Sequence, residues 1–242
     1  MYLNRLENPA GPWTNDPILQ RHRFTNAYRV LDRVSQYLVR EVQYRSDRSD
    51  APMEVFFRTL LFKIFNKIET WEHLERELGP LSWQSVDLDA VDRSLSRLMH
   101  RGVRIYSAAY IMPAPKFGEV RKHANHLRLI EKMMMDGLPA RIANASTLQS
   151  AYEMIRAYPG LGPFLAFQYA IDLGYAAFTQ YDEAGFVVAG PGAHDGVSKC
   201  FEDTGGRTSE EVIMEMVERQ DEEFRRLGLT FGGLFGRKLQ PI

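Results

Sequence analysis

One stretch constrains the fold of this chain more than any other. Residues 55–68 read Val-Phe-Phe-Arg-Thr-Leu-Leu-Phe-Lys-Ile-Phe-Asn-Lys-Ile, which sets apolar side chains on nearly every side of a helix. Such a helix is stable only when other elements cover it, so the stretch predicts a central, buried helix opened by Asp50 and Pro52. The surrounding sequence supplies the cover. Tyr28, Leu31, Val34, Leu38 and Val42 recur at intervals of three and four behind a capping Thr25, and Asp87 heads an amphipathic run over 88–101 that stops at Gly102. Further helices are expected over 117–136, 148–158 and 164–175, and from the capping-box pair Thr208 and Glu211 to Gly228. Only residues 185–189, Gly-Phe-Val-Val-Ala, read as strand, too little for a sheet. The expected class is all-α. Residues 1–20, punctuated by Pro9, Gly11, Pro12 and Pro17, are expected to be irregular, 21–228 to form the helical domain, and 229–242 a glycine-rich tail.

With 242 residues and 45% hydrophobic composition, the chain can bury a full core as one large domain or two interlocked helical subdomains. No run approaches the roughly 18 uninterrupted apolar residues of a membrane span. The first residues carry no apolar leader, and the single cysteine, Cys200, excludes disulfide frameworks and multi-cysteine metal sites. A cytoplasmic protein, with Cys200 as a small buried hydrophobe, is expected. The net charge of -1 is unevenly spread. Residues 93–132 hold nine Lys and Arg against Glu119 and Glu131, a balance of +7, whereas 202–223 hold nine acids against Arg207 and Arg219, a balance of −7. Such polarity lets a near-neutral chain turn a basic face to phosphate, although two solvated helix faces would read the same way.

The most specific local signal joins the 148–158 and 164–175 segments: Pro159-Gly160-Leu161-Gly162-Pro163. Two glycines this close permit a tight turn and an unobstructed approach of backbone to another molecule, with the next helix's N–H groups pointing outward. Gly160, Leu161 and Gly162 are therefore candidate DNA-phosphate contacts, with Lys199 beyond them. These residues resemble the helix-hairpin-helix motif of the DNA glycosylase superfamily. Further segments extend the likeness: Phe24-Thr-Asn-Ala-Tyr-Arg29, Leu61-Phe-Lys-Ile-Phe-Asn66-Lys-Ile-Glu69-Thr, Gly160-Leu-Gly-Pro-Phe-Leu-Ala-Phe-Gln168 with Ala170-Ile-Asp172-Leu, and Phe186-Val-Val-Ala-Gly-Pro-Gly192-Ala. Together they look like a glycosylase-like family found with thymine-hypermodifying phage genes. Its members carry names such as α-glutamyl/putrescinyl-thymine pyrophosphorylase and the helical domain of hydroxymethyluracil DNA kinase. Some relatives look like antiphage glycosylases that excise glucosylated hydroxymethylcytosine.

The resemblance implies a helix-hairpin-helix glycosylase-like bundle acting on double-stranded DNA with modified bases. It implies an enzyme that flips a hypermodified base and hydrolyses its N-glycosidic bond without a cofactor, leaving an abasic site, and a monomer is expected. Phe164 stands where backbone-cleaving members carry lysine, which implies a monofunctional enzyme. Its catalytic carboxylate would be Asp195, at a helix N-terminus after Gly190-Pro-Gly-Ala-His, or Asp182, which lies at the usual spacing from the hairpin. Asn26, Arg29, Asn66, Lys67 and Glu69 are polar residues within apolar helices, a placement that burial penalises unless they bond one another or a ligand. They are candidate base-pocket residues or a structural polar network. Gln168 and Asp172, four apart on one helix face, join them. Phe24, Tyr28 and Trp71 read either as stacking partners for a flipped base or as core. Two further functions stay open: a tailoring transferase or lyase on hydroxymethyluracil-derived bases, and a DNA-binding module without catalysis. The glycines at 190, 192 and 196 miss the dinucleotide-loop spacing, and no GxxxxGK[ST] loop is present, so kinase activity is not expected of this chain. His123 and His126 read as part of the basic face, and no metal site is expected.

Overall fold

Three short helices, α1 (Tyr2–Glu7), α2 (Pro17–Arg21) and α3 (Arg33–Tyr37), precede the long helix α4 (Pro52–Phe65). The computed structural model describes residues 1–22, 24, 26–109 and 111–242. The expected cap at Thr25 lies outside them. Every residue of α4 from Glu54 to Phe65 is buried, as its all-round apolar sequence demands. Burying it also buries Glu54, Arg58, Thr59 and Lys63, which form a polar stripe at helical spacing. Glu54 accepts from the Trp83 and Gln84 amides at 2.9 and 3.2 Å. Arg58 donates to the Val42 and Ser49 carbonyls at 2.9 and 2.7 Å. Thr59 Oγ1 accepts from Gln43 Nε2 at 3.1 Å. These bonds offset the desolvation of the groups that make them.

The cover consists of α5 (Ile68–Leu78), α6 (Leu88–His100), α7 (Lys122–Met135), α8 (Leu138–Ala143), α9 (Leu148–Arg156), α10 (Pro163–Gly174), α11 (Pro191–Cys200) and α12 (Ser209–Arg226). Helices α5, α7, α8 and α10 pack directly on α4, α9 and α10 form an antiparallel hairpin, and α11 leans on α12. Helix starts follow local chemistry. Asp87 Oδ1 accepts from the Asp89 and Ala90 amides, and Thr147 with Ser150 and Thr208 with Glu211 make reciprocal capping boxes. No strand occurs among the described residues, where the secondary structure is helical apart from an isolated Leu234–Arg237 bridge. No helix among them is long and apolar enough to cross a membrane.

Three expectations change. The opening residues are not wholly irregular: Asp16 caps α2 by accepting from Ile18 and Leu19 with Pro17 at the first position, so punctuation that reads as loop is also a helix start. The helix expected from Thr25 breaks into a 3-10 turn (Arg29–Leu31), α3 and a π-helical turn (Leu38–Gln43), because Asp32 is extended. The helix expected from residue 117 begins at Lys122, because Gly118 takes a φ of +87° and Asn125 Oδ1 captures the Phe117 and Glu119 amides at 2.8 and 3.3 Å.

Candidate functional site

Helix α10 is as apolar as α4 except at Gln168 and Asp172, one turn apart and both buried. The Asp172 side chain has 0% exposure. A carboxylate removed from water keeps its charge only beside matched cations and donors. Lys63, from the polar stripe of α4, places Nζ 2.9 Å from Asp172 Oδ2. Arg29, from the 3-10 turn, places Nη2 3.0 Å from Oδ1 and 3.2 Å from Oδ2. Lys63 also donates to Asn66 Oδ1 at 2.8 Å. Asn66 caps α4 with a φ of 47°, a left-handed conformation asparagine tolerates, which folds its amide back on Lys63. The wide π turn rotates Gln43 inward, where Nε2 donates to the Asp172 carbonyl at 2.8 Å. Four segments distant in sequence thus meet at one buried charge cluster.

A cleft opens beside it. Adjoining recesses of about 70 and 210 Å³ share Val30, Tyr175, Glu183 and Arg237. The smaller reaches Arg29 and the tail residues Leu234 and Phe235, and the larger reaches Asp182. Burial raises the Tyr175 phenol above its ordinary value, with Arg29 beside it pulling the other way. Burial likewise raises the Glu183 carboxyl, against Arg237 and Arg29. The tail forms one wall. Tyr28 Oη accepts from the Leu234 amide at 3.0 Å and donates to the Arg237 carbonyl at 2.5 Å. Leu239 and Gln220 of α12 exchange hydrogen bonds of 3.1 and 3.0 Å. The cleft therefore offers guanidinium donors, a phenol and an acid inclined to hold its proton, next to a fixed buried carboxylate.

Of the candidate residues, Arg29, Asn66 and Asp172 converge here, and Gln168 is buried one turn before Asp172 on α10. Asn26, Lys67 and Glu69 do not: Asn26 is exposed and bonds Asp32 Oδ1 at 2.9 Å, Lys67 donates to the Arg104 carbonyl, and Glu69 faces solvent. Asp182 stands exposed at the cleft wall, its Oδ1 accepting from the Ala184 amide at 3.0 Å. Asp195 is not at a helix start. Gly190 caps α11, and Asp195 lies a turn inside it, 61% exposed and paired with Lys199 at 2.7 Å. Gly160 has a φ of +82°, and the neighbour its missing Cβ accommodates is the chain's own Pro115, 3.3 Å from where that atom would lie. Leu161 is buried, while Gly162 is exposed at the start of α10. Trp71 is core, Phe24 is exposed and Cys200 is exposed rather than buried.

His123 and His126 are also buried, not on a basic face. His126 Nε2 meets the Pro113 carbonyl at 2.8 Å, which assigns the ring proton to that nitrogen, and Nδ1 accepts from Tyr106 Oη at 2.7 Å. Among the described residues, no group of three or more His, Cys, Asp or Glu is placed to hold a metal ion.

Lys63, Tyr175, Glu183 and Arg237 are site residues the sequence reading misses. Lys63 satisfies the same criterion as Asn66, a polar group in an all-apolar helix. The others sit in a turn and in the tail, where no periodicity marks them.

Over residues 1–242 the chain matches the family described as 5-hmdU DNA kinase, helical domain. The chain belongs to that family. A relative named 5-hmdU DNA kinase, from Bacillus phage SP10, is 23% identical over 246 residues, covering 95% of this chain. The chain spans 38% of that relative's length. No solved structure matches. These findings correct the expected activity. The family and the relative are named for a DNA kinase and not for a glycosylase, so the reading as an antiphage glycosylase leaving abasic sites is withdrawn, and with it the hydrolytic role given to Asp195 or Asp182. The thymine-hypermodification reading, kept open beside it, is the nearer one.

Proposed function

We propose that this helical domain receives 5-hydroxymethyl-2′-deoxyuridine in DNA during phage thymine hypermodification, with the cleft beside Asp172 taking the modified base. Phosphoryl transfer is assigned to the part of the relative that this chain does not cover. The absence of a GxxxxGK[ST] loop from the sequence supports that division. The observation that carries the reading is the fully buried Asp172 carboxylate, held by Lys63 and by Arg29, which itself lines an open recess. Buried ion pairs contribute little net stability, so one whose arginine lines a cavity points to recognition. The chemistry fits a hydroxymethylated uracil. Arg29 and Arg237 offer donors to its two carbonyl oxygens, and Glu183 offers a carboxyl to the imide N–H or the hydroxyl. The two recesses together fall just under the roughly 300 Å³ at which small-ligand pockets begin.

The test is fluorescence anisotropy with duplexes that differ at one nucleotide: 5-hydroxymethyldeoxyuridine, thymidine or 5-hydroxymethyldeoxycytidine. A preference for the first of about tenfold is expected, because a site built to hydrogen-bond a hydroxyl rejects the analogue lacking it. Glu183→Gln, at the partly exposed rim, should erase the preference while leaving the fold intact. Equal affinity for all three duplexes would remove this reading.

A further inference from the structure

The tail wall of the cleft carries a residue that nothing in the fold requires. Leu234, Phe235, Gly236 and Arg237 form a tight turn closed by the Arg237 amide on the Leu234 carbonyl at 3.0 Å. Both central residues are left-handed, Phe235 at a φ of 55° and Gly236 at 73°. Turns of this kind use Asn, Asp or Gly at the first central place, and a bulky side chain there is an outlier held by its surroundings. Those surroundings are in place. Any Cβ at Gly233 would overlap the Arg237 carbonyl, so only glycine lets the chain enter the turn. The Tyr28 hydroxyl clamps both sides of it, and Phe231 packs edge-on against Phe224 of α12 with ring centroids 5.6 Å apart.

This rigid, strained turn buries nothing at its tip. The Phe235 side chain is 91% exposed, although it stands at the rim of the recess that also holds Arg29, Tyr175 and Glu183. Hydrophobic burial therefore does not explain the phenylalanine, and backbone preference opposes it. An aromatic ring fixed in water beside a polar, guanidinium-lined cleft has the form of a stacking platform for a nucleobase. Proteins that draw a nucleotide out of a duplex commonly insert an apolar side chain into the step they open.

We infer that Phe235 is a stacking residue that enters the DNA helix at the position vacated by the nucleotide taken into the cleft. The inference rests on the reading of the cleft as a base-binding site. It assigns the tail turn, and not the α9–α10 hairpin, the task of holding the duplex open.

The experiment uses the full chain and a duplex in which 2-aminopurine sits next to a single 5-hydroxymethyldeoxyuridine, so that local unstacking raises its fluorescence. Wild type should bind and raise the signal. Phe235→Asn places a residue suited to the left-handed conformation, so it should melt at a higher temperature than wild type while binding about tenfold more weakly and losing the fluorescence rise. Phe235→Trp should keep both binding and signal, with the new indole quenched by DNA. Higher stability with lower binding in the same variant is the signature of a residue kept for recognition. If Phe235→Asn binds and opens the duplex as wild type does, the inference is wrong and the cleft reading stands. If Phe235→Asn melts lower, the ring is structural and the inference falls. If wild type itself neither binds nor opens the duplex, the cleft reading and the inference fall together.

Discussion

At the scale of single residues, the decisive group is Lys63. It is 3% exposed and shares the Asp172 carboxylate with Arg29, so it acts as a counter-ion and not as a surface charge. Lys63→Met preserves the length and the apolar stem but leaves the buried carboxylate one cation short. A loss of about 3–5 kcal/mol in urea-monitored stability is expected, the range seen when one partner of a buried pair is removed. A loss near zero would show that the Asp172 carboxylate does not depend on Lys63. Arg29, Asn66, Gln168 and Asp172 were legible in the sequence because polar side chains within apolar helices demand partners. Lys67 and Glu69 were misplaced for a geometric reason. The sequence reading carried one helix to residue 68, whereas the left-handed cap at Asn66 resets the phase before α5, turning both away from the cluster. Glu183 and Arg237 were illegible because a turn and a tail have no period from which to infer a face.

At the scale of elements, the α9–α10 hairpin shows how two glycines in one correctly read turn answer to different demands. Both helices and the glycine turn were expected from the sequence, and both form within two residues of their expected ends. The two glycines, however, are needed for different reasons. Gly160 needs its freedom for a φ of +82° and for room against Pro115, whereas Gly162 is at a φ of −69° with no atom within 4 Å of where a Cβ would lie. Gly160→Ala should therefore cost about 1–2 kcal/mol from backbone conformation, with a further loss from the Pro115 contact. Gly162→Ala should be close to neutral. Thermal melts of the two variants side by side check this, and equal losses would contradict the geometry. The N-terminal helical run was legible as amphipathic but not as broken, since an extended Asp32 and a π turn arise from tertiary fit to α4 and α10.

At the scale of the whole molecule, global stability should carry the mark of a buried imidazole. Burial pushes His126 down to about 4, against the favourable bond to the Pro113 carbonyl, while the unfolded chain keeps an ordinary value near 6.5. Its folded value is depressed, so the unfolded state binds the proton first. Stability is complete above about pH 6.5 and falls as pH drops towards 4, by about 3 kcal/mol in all. Glu183, raised by burial, works in the opposite direction, so urea midpoints from pH 7.5 to 4.5 should be compared between wild type and His126→Gln. The variant should show the flatter profile, and parallel profiles would exclude His126 as the source. The all-helical class and central α4 could be read from the sequence because apolar periodicity encodes them directly. The activity could not, because the same helical bundle and buried carboxylate suit more than one chemistry on DNA. One feature governs how this molecule comes together. The Tyr28 hydroxyl clasps the Arg237 carbonyl across a separation of 209 residues, so the rim of the cleft is closed by a highly non-local contact. Contacts of that kind form after local helices have condensed. The cleft is therefore assembled late in folding, and a chain released before its tail is made carries the buried charge cluster with one wall missing.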